Sequence, residues 1–377
     1  MKKSKIVSLL FTFAVILSAQ IVLGISAYAG EINGTTTTMS FDVLGGGGSY
    51  APYTLNINPA GEYCTRDTTL TLQINNISAS YGIQNVYFVV TGYSYPGYPF
   101  NPGSQVTIQG GSISQGSCWG QLSWSDIPEH DGYTVKAYAV DTQGNNYTWT
   151  KTVKQDILRP TIEYPTITSN DRYMIASDGN PIVNSDVRLN FTVQDKTPYY
   201  TSWIKGISVK VYDSTQTQPI RTITITPNNP SNKNCGGYSS DIALLNLGNT
   251  QKTLTARITV TDYANNTTTV SKRFYYDRKY TTGRLSKGTP TASTVDCYFD
   301  TYSDISGLMY CKFIFTTLEN GQPVSYEIYG TKVSSTRWKA TLDKTTFNSS
   351  TGSFNIEVWS RDLIENYGLV GTLTHQF

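Results

Sequence analysis

The chain has 377 residues; only 15% of them are charged, and its 29 basic and 27 acidic side chains nearly cancel. Such a balance gives no electrostatic basis for binding nucleic acid or an anionic membrane surface. The 28 Tyr and 31 Gly, with abundant Thr, Ser and Asn, are the usual material of strands and turns in an extracellular β-protein.

Lys2, Lys3 and Lys5 precede the apolar stretch from Ile6 to Ile25, and Ala27-Tyr28-Ala29 places small residues at cleavage-site spacing. Residues 1–29 are therefore predicted to be a secretory signal peptide cut after Ala29. The competing reading is an uncleaved anchor, since the stretch is long enough to span a bilayer, although Ser18 and Gln20 interrupt it. Cleavage leaves 348 residues with 26 basic and 27 acidic side chains. Residues 30–50 are rich in Thr and Gly and read as a flexible segment, within which "MSFDVL" has the pattern of one short strand.

From there a single pattern recurs three times. "YTVKAYAVDTQGNN" from Tyr133, "LTARITVTDYANN" from Leu254 and "FNIEVWSRDLIEN" from Phe354 each carry an Asp eight residues after the first residue and an Asn four residues later. Counting back from each Asp in twos gives a mostly apolar face, the period of a strand packed on a core from one side. Upstream, "YGIQNVYFVV", "KGISVKVY" and "SGLMYCKFIF" place Gly82, Gly206 and Gly307 before another alternating strand. Still earlier come Leu70/Leu72/Ile74, Leu189/Phe191/Val193 and Val295/Cys297/Phe299. No sustained helical period intervenes. The predicted fold is all-β, three tandem immunoglobulin-like β-sandwich modules over residues 51–154, 155–277 and 278–377, joined near Pro160 and Pro290.

The repeated pairs Asp141/Asn145, Asp262/Asn266 and Asp362/Asn366 stand where each strand ends and the next alternating stretch begins. An Asp side chain accepts backbone N–H groups across a turn, and Gly or Asn tolerates positive φ, so these residues are read as structural hairpin turns. Calcium is the competing reading, but it takes six to eight oxygens and each loop offers one or two carboxylates. No metal and no cofactor is expected.

The first module also contains "GYSYPGYPFNPG", in which Tyr93, Tyr95, Tyr98 and Phe100 stand among Pro and Gly. Rigid aromatics suit sugar or peptide recognition and make these four the candidate ligand-binding residues; the alternative is a cap folded over the sandwich end. Trp119 and Trp124 either extend such a patch or belong to the core. Of the five Cys, Cys64 with Cys118 and Cys297 with Cys311 are disulfide candidates closing separations of 54 and 14 residues. Each bridge would stabilise by ~3–4 kcal/mol, the alternative being buried thiols, and Cys235 has no partner in its module.

In the last module, Ser306-Gly307, Phe313, Asn320-Gly321-Gln322, Tyr326, Trp338, Gly352, Phe354 and Asp362 follow a longer pattern, and residues 290–375 resemble the GBS Bsp-like repeat. Two places depart from it: Phe315-Thr316-Thr317-Leu318 replaces an F-P-x-W strand end, and Pro323-Val324 replaces an acidic pair. The first two modules share only general features of bacterial Ig-like repeats. The resemblance implies export and association with the cell envelope, and supplies no catalytic residues. His130 and His375 are the only histidines and no nucleophile elbow is present, so an enzyme is not expected. The sequence reads as a secreted or non-covalently surface-held binding or adhesive protein whose partner is an envelope polysaccharide, a host glycan or a surface protein. A passive spacer is the alternative and a wall or carbohydrate hydrolase a more distant one. No LPxTG motif or apolar tail points to covalent wall attachment, and no membrane span is expected after signal cleavage.

Overall fold

The computed structural model describes residues 31–32, 35–36, 38–46, 51–93, 104–127, 132–169, 173–184, 187–195, 202–227, 237–241, 247–346 and 352–376. Residues 1–29, predicted to be a signal peptide, lie outside them. Among the described residues no helix is long and apolar enough to cross a membrane, and nearly all regular structure is strand.

Three hydrophobic cores form, each enclosed between two sheets, as expected of immunoglobulin-like sandwiches. In the first, Cys118–Ser123, Thr69–Asn75, Ser40–Gly45 and Tyr53–Thr54 face a six-stranded sheet centred on Gly132–Asp141. In the second, Thr161–Ser169, Val187–Gln194 and Gly237–Asp241 face six strands centred on Gln251–Asp262. In the third, two four-stranded sheets meet, one centred on Leu308–Glu319 and Ser353–Asp362. Leu70, Leu72, Phe88, Val135, Ala137 and Ala139 are fully buried in the first core. Leu189, Val193, Val209, Ile258 and Val260 fill the second, and Phe299, Phe313, Ile356 and Val358 the third. The residues between them on the same strands are less buried, so the period of two in the sequence becomes the two faces of each sheet.

Within residues 30–50 the short strand of "MSFDVL" is present: Ser40–Gly45 pairs with Thr69–Asn75, and Met39, Phe41 and Val43 are buried in the first core. Three alternating apolar side chains outweigh the adjoining Gly run. The disulfide candidates are corrected: Cys64, Cys118, Cys297 and Cys311 are buried free thiols. Cys118 donates to the Gly111 carbonyl at 2.9 Å, and Cys64 points to the carbonyl of Ser202 in the next module at 3.9 Å. Alternation puts a cysteine on the core face without bringing a second one opposite it. Cys235 lies outside the described residues.

Candidate functional site

The three Asp–Asn hairpins have one geometry. Asp141 Oδ1 accepts the Asn145 amide at 2.8 Å, Asp262 Oδ1 that of Asn266 at 2.7 Å, and Asp362 Oδ1 that of Asn366 at 2.8 Å. The Asn side-chain amide then donates to the other oxygen of the same carboxylate at 2.8, 2.9 and 2.8 Å. The residue before each Asn is in the left-handed region: Gly144 at φ 85°, Asn265 at 65° and Glu365 at 71°. The partner strand is bulged opposite each Asp, which pairs with Ile83, Ile204 or Leu308. The residue ahead of that partner has positive φ, and its carbonyl takes the amide following the Asp at 3.0 Å in all three copies. These residues are Gly82, Trp203 and Gly307. Gly206 is therefore not the counterpart of Gly82: the second module gives this position to Trp203, with Lys205 and Gly206 further along the strand.

What differs among the copies is what the hairpin touches. In the second and third modules it docks on the chain leaving the preceding module. Asn266 Nδ2 donates to the Asp156 carbonyl at 2.8 Å, and Asn366 Nδ2 to the Asp277 carbonyl at 3.1 Å. The upstream module reaches back as well, with Asn56 Nδ2 donating to the Tyr263 carbonyl at 2.8 Å and Asn184 Nδ2 to that of Ile364 at 3.0 Å. At the first junction Ser202 N donates to Asp156 Oδ2 at 2.6 Å and Ala264 N to Ser202 Oγ at 3.1 Å. At the second, Ser306 N reaches Asp277 Oδ2 at 3.3 Å, Gln251 Nε2 reaches Asp304 Oδ1 at 2.7 Å, and Ser360 Oγ reaches the Thr281 carbonyl at 2.6 Å.

Docking also gathers acids. Asp156, Asp195 and Asp262 meet at the first junction, and Asp277, Asp304 and Asp362 at the second. Five of the six are buried, with exposures of 0–3%. Burial pushes Asp195 up to about 7, assisted by the charges of Asp156 and Asp262. Burial likewise pushes Asp262 and Asp277 up to about 7, and it raises Asp156 and Asp362. The Asn145 side chain instead holds Asp141 below the usual carboxylate range. One turn sequence thus yields opposite electrostatics, because among the described residues only the second and third copies are packed against another module. Sequence reasoning identified Asp262 and Asp362 as turn residues and missed their partners. The available signal was spacing, since Asp156 and Asp277 each follow the preceding hairpin Asp by fifteen residues.

The aromatic candidates separate. Tyr93 lies over Gly132 and donates from its hydroxyl to Glu62 Oε1 at 2.9 Å, a cap on the sandwich end. Tyr95, Tyr98 and Phe100 lie outside the described residues. Trp124 packs on Tyr133 in the core with ring centroids 4.4 Å apart, whereas Trp119 is half exposed. His375 is buried, its ring nitrogens at 2.7 Å from the Gln376 carbonyl and 3.3 Å from that of Gly288, a structural setting. His130 lies outside the described residues.

No protein-family model matches the chain, and no curated protein matches it. Among solved structures it is similar to a tetra-tandem repeat from the extending region of a large adhesion protein. The identity is 17% over 91% of this chain and 75% of the other, with a TM-score of 0.27. It is also similar to a structure from a 1.5-MDa bacterial ice-binding adhesin, at 14% identity over 82% and 89% of the two chains and a TM-score of 0.34. A third is a Ca2+-stabilized adhesin with which an Antarctic bacterium binds ice, at 14% identity over 91% and 74% and a TM-score of 0.35. At this distance the likenesses carry no assignment of partner or activity.

Proposed function

We propose that this is an exported, non-catalytic adhesive extender: a row of immunoglobulin-like modules held in fixed relation that presents the aromatic loop of its first module to a surface partner. The observation that supports it most is the doubly repeated junction. Two successive modules dock through the same Asn-to-carbonyl bond, which a loosely strung chain has no need to repeat. The gathered carboxylates do not favour a hydrolase. A glycosidase needs its two acids flanking a sugar in an open cleft, and these lie inside packed junctions, with Asp156, Asp262, Asp277 and Asp362 fully buried. The passive-spacer reading shares the same rigid junctions and differs only in what the first module recognises.

The proposed partner is an envelope or host glycan or a surface protein, met by Tyr95, Tyr98 and Phe100. Half-exposed Trp119 adds an aromatic on the same module. The purified chain is expected to bind intact cell walls or a glycan array, and Tyr95→Ala with Tyr98→Ala to weaken that binding by about tenfold or more, as loss of aromatic anchors does. Wild-type binding that both substitutions leave unchanged would move recognition off this loop, and an absence of any binding would leave the chain a spacer.

A further inference from the structure

We propose that the cavity where the first two modules meet binds an acidic saccharide, a sugar ring bearing a carboxylate. Arg66 holds the carboxylate, Tyr53 lies against the ring, and Asp67 and Asn265 take its hydroxyls. The site is separate from the aromatic loop of the adhesive reading and stands whether or not that loop recognises anything.

The cavity measures about 550 Å³, and its wall includes Tyr53, Arg66, Asp67 and Thr68 of the first module and Asn265 of the second. Small-molecule sites span about 300–1,000 Å³, room for one or two sugar rings. Asn265 belongs to the hairpin that docks on the first module, so the cavity is complete only when the two modules are joined.

Its aromatic wall is fixed in place. The Tyr53 ring lies so close to the backbone of Gly45 that an added Cβ there would stand 2.5 Å from Cζ. Its hydroxyl donates to Asp67 Oδ2 at 2.6 Å, and Gly46 N donates to the same oxygen at 2.7 Å. Tyr53 is nonetheless 44% exposed. A large aromatic already held in one pose covers a sugar ring at little entropic cost. Both donors converge on Oδ2, and among the described residues Asp67 Oδ1 is left to accept a hydroxyl.

Charge selects the ligand. Arg66 is exposed and forms no ion pair among the described residues. Lys205, beside the cavity, also meets no acid there: its ammonium donates to Asn56 Oδ1 at 2.8 Å and reaches Asn265 Oδ1 at 3.5 Å. These two cations outnumber Asp67, the one acid among the described residues of the wall. A planar guanidinium meets a carboxylate through two parallel N–H bonds, which a compact phosphate or a neutral sugar does not require. Asn265 Oδ1 also accepts from Asn56 Nδ2 at 2.9 Å, which leaves the Asn265 amide nitrogen to donate. The second junction offers a contrast. Its hairpin has Glu365 in the place of Asn265, bonded to Arg361 at 2.8 Å, and an acid there repels an anion.

The test titrates the purified chain by calorimetry at about 0.15 M salt with galacturonic acid oligomers, and with galactose oligomers of the same length. One site per chain is expected for the acidic oligomer, with the neutral one weaker by about tenfold or more, the loss of a charge-assisted contact. Arg66→Gln and Asn265→Asp should each weaken acidic binding by about tenfold. Both positions are exposed, so the variants should melt with the unaltered chain. Tyr95→Ala, in the loop, and Lys136→Gln, an exposed cation elsewhere on the first module, should leave the binding unchanged. Equal binding of the two oligomers, no effect of Arg66→Gln, an equal loss from Lys136→Gln, or a Kd weaker than about 10 mM for the acidic oligomer would each overturn the assignment. Loss in Tyr95→Ala with none in Arg66→Gln would also overturn it, by moving the sugar to the loop, and would support the adhesive reading.

Discussion

Asn366→Ala is expected to destabilise the third module by about 2–4 kcal/mol, whereas Asn145→Ala in the first should cost about 1 kcal/mol or less. The two residues occupy the same place in the same turn. Among the described residues Asn145 Nδ2 serves only Asp141 of its own hairpin, at 2.8 Å. Asn366 Nδ2 serves Asp362 at 2.8 Å and also the Asp277 carbonyl of the preceding module at 3.1 Å. Removing it strands two acceptors inside a packed junction, and the cost of an orphaned buried acceptor exceeds the net worth of the bond. Urea unfolding of both variants, followed by calorimetry, provides the comparison. Equal costs at the two positions would mean that the hairpin is only a turn in every copy.

Phe313→Ala is expected to cost the third module about 3–5 kcal/mol, the range for truncating a large buried aromatic. Phe313 is fully buried, packs on Phe315 with centroids 6.5 Å apart, and lies above Gly330, where an added Cβ would sit 3.1 Å from its ring. The third core is the smallest, with 11 buried residues among those described against 21 and 16 in the other two, so it has the least to spare. The loss should appear as an earlier transition seen by Trp338 and Trp359, both in this module, while the transition of Trp124 and Trp149 in the first module stays where it was. A matched fall in both would show that the cores do not stand apart.

The sandwiches were legible because alternation is a local property. Val135, Ala137 and Ala139, like Leu254, Ala256, Ile258 and Val260, mark their buried face without reference to anything distant. The hairpins were legible for the same reason, since Asp and Asn four residues apart close their own ring of hydrogen bonds. What a hairpin meets is not local. Nothing near Asn266 in sequence announces the Asp156 carbonyl, 110 residues away. The trios escaped notice because each loop was weighed singly and offered one or two carboxylates; the third dimension adds one from the upstream module and one from a neighbouring loop. Gly206 misled for a related reason. A glycine at the expected offset is a plausible αL residue, yet in the second module the positive φ, 73° under tertiary packing, falls at Trp203, just ahead of the bulge between Ile204 and Gly206. The strand of Met39, Phe41 and Val43 was legible beside the Gly run because the same alternation marks its buried face.

All of this rests on the second and third hairpins being docking elements that fix each module on the one before it. Spin labels at the exposed positions Lys136 and Arg257, on equivalent strands of the first two modules, report that relation through their distance distribution. A single narrow distribution that broadens in Asn266→Ala is the predicted result. A broad distribution in the unaltered chain, insensitive to that substitution, would contradict it.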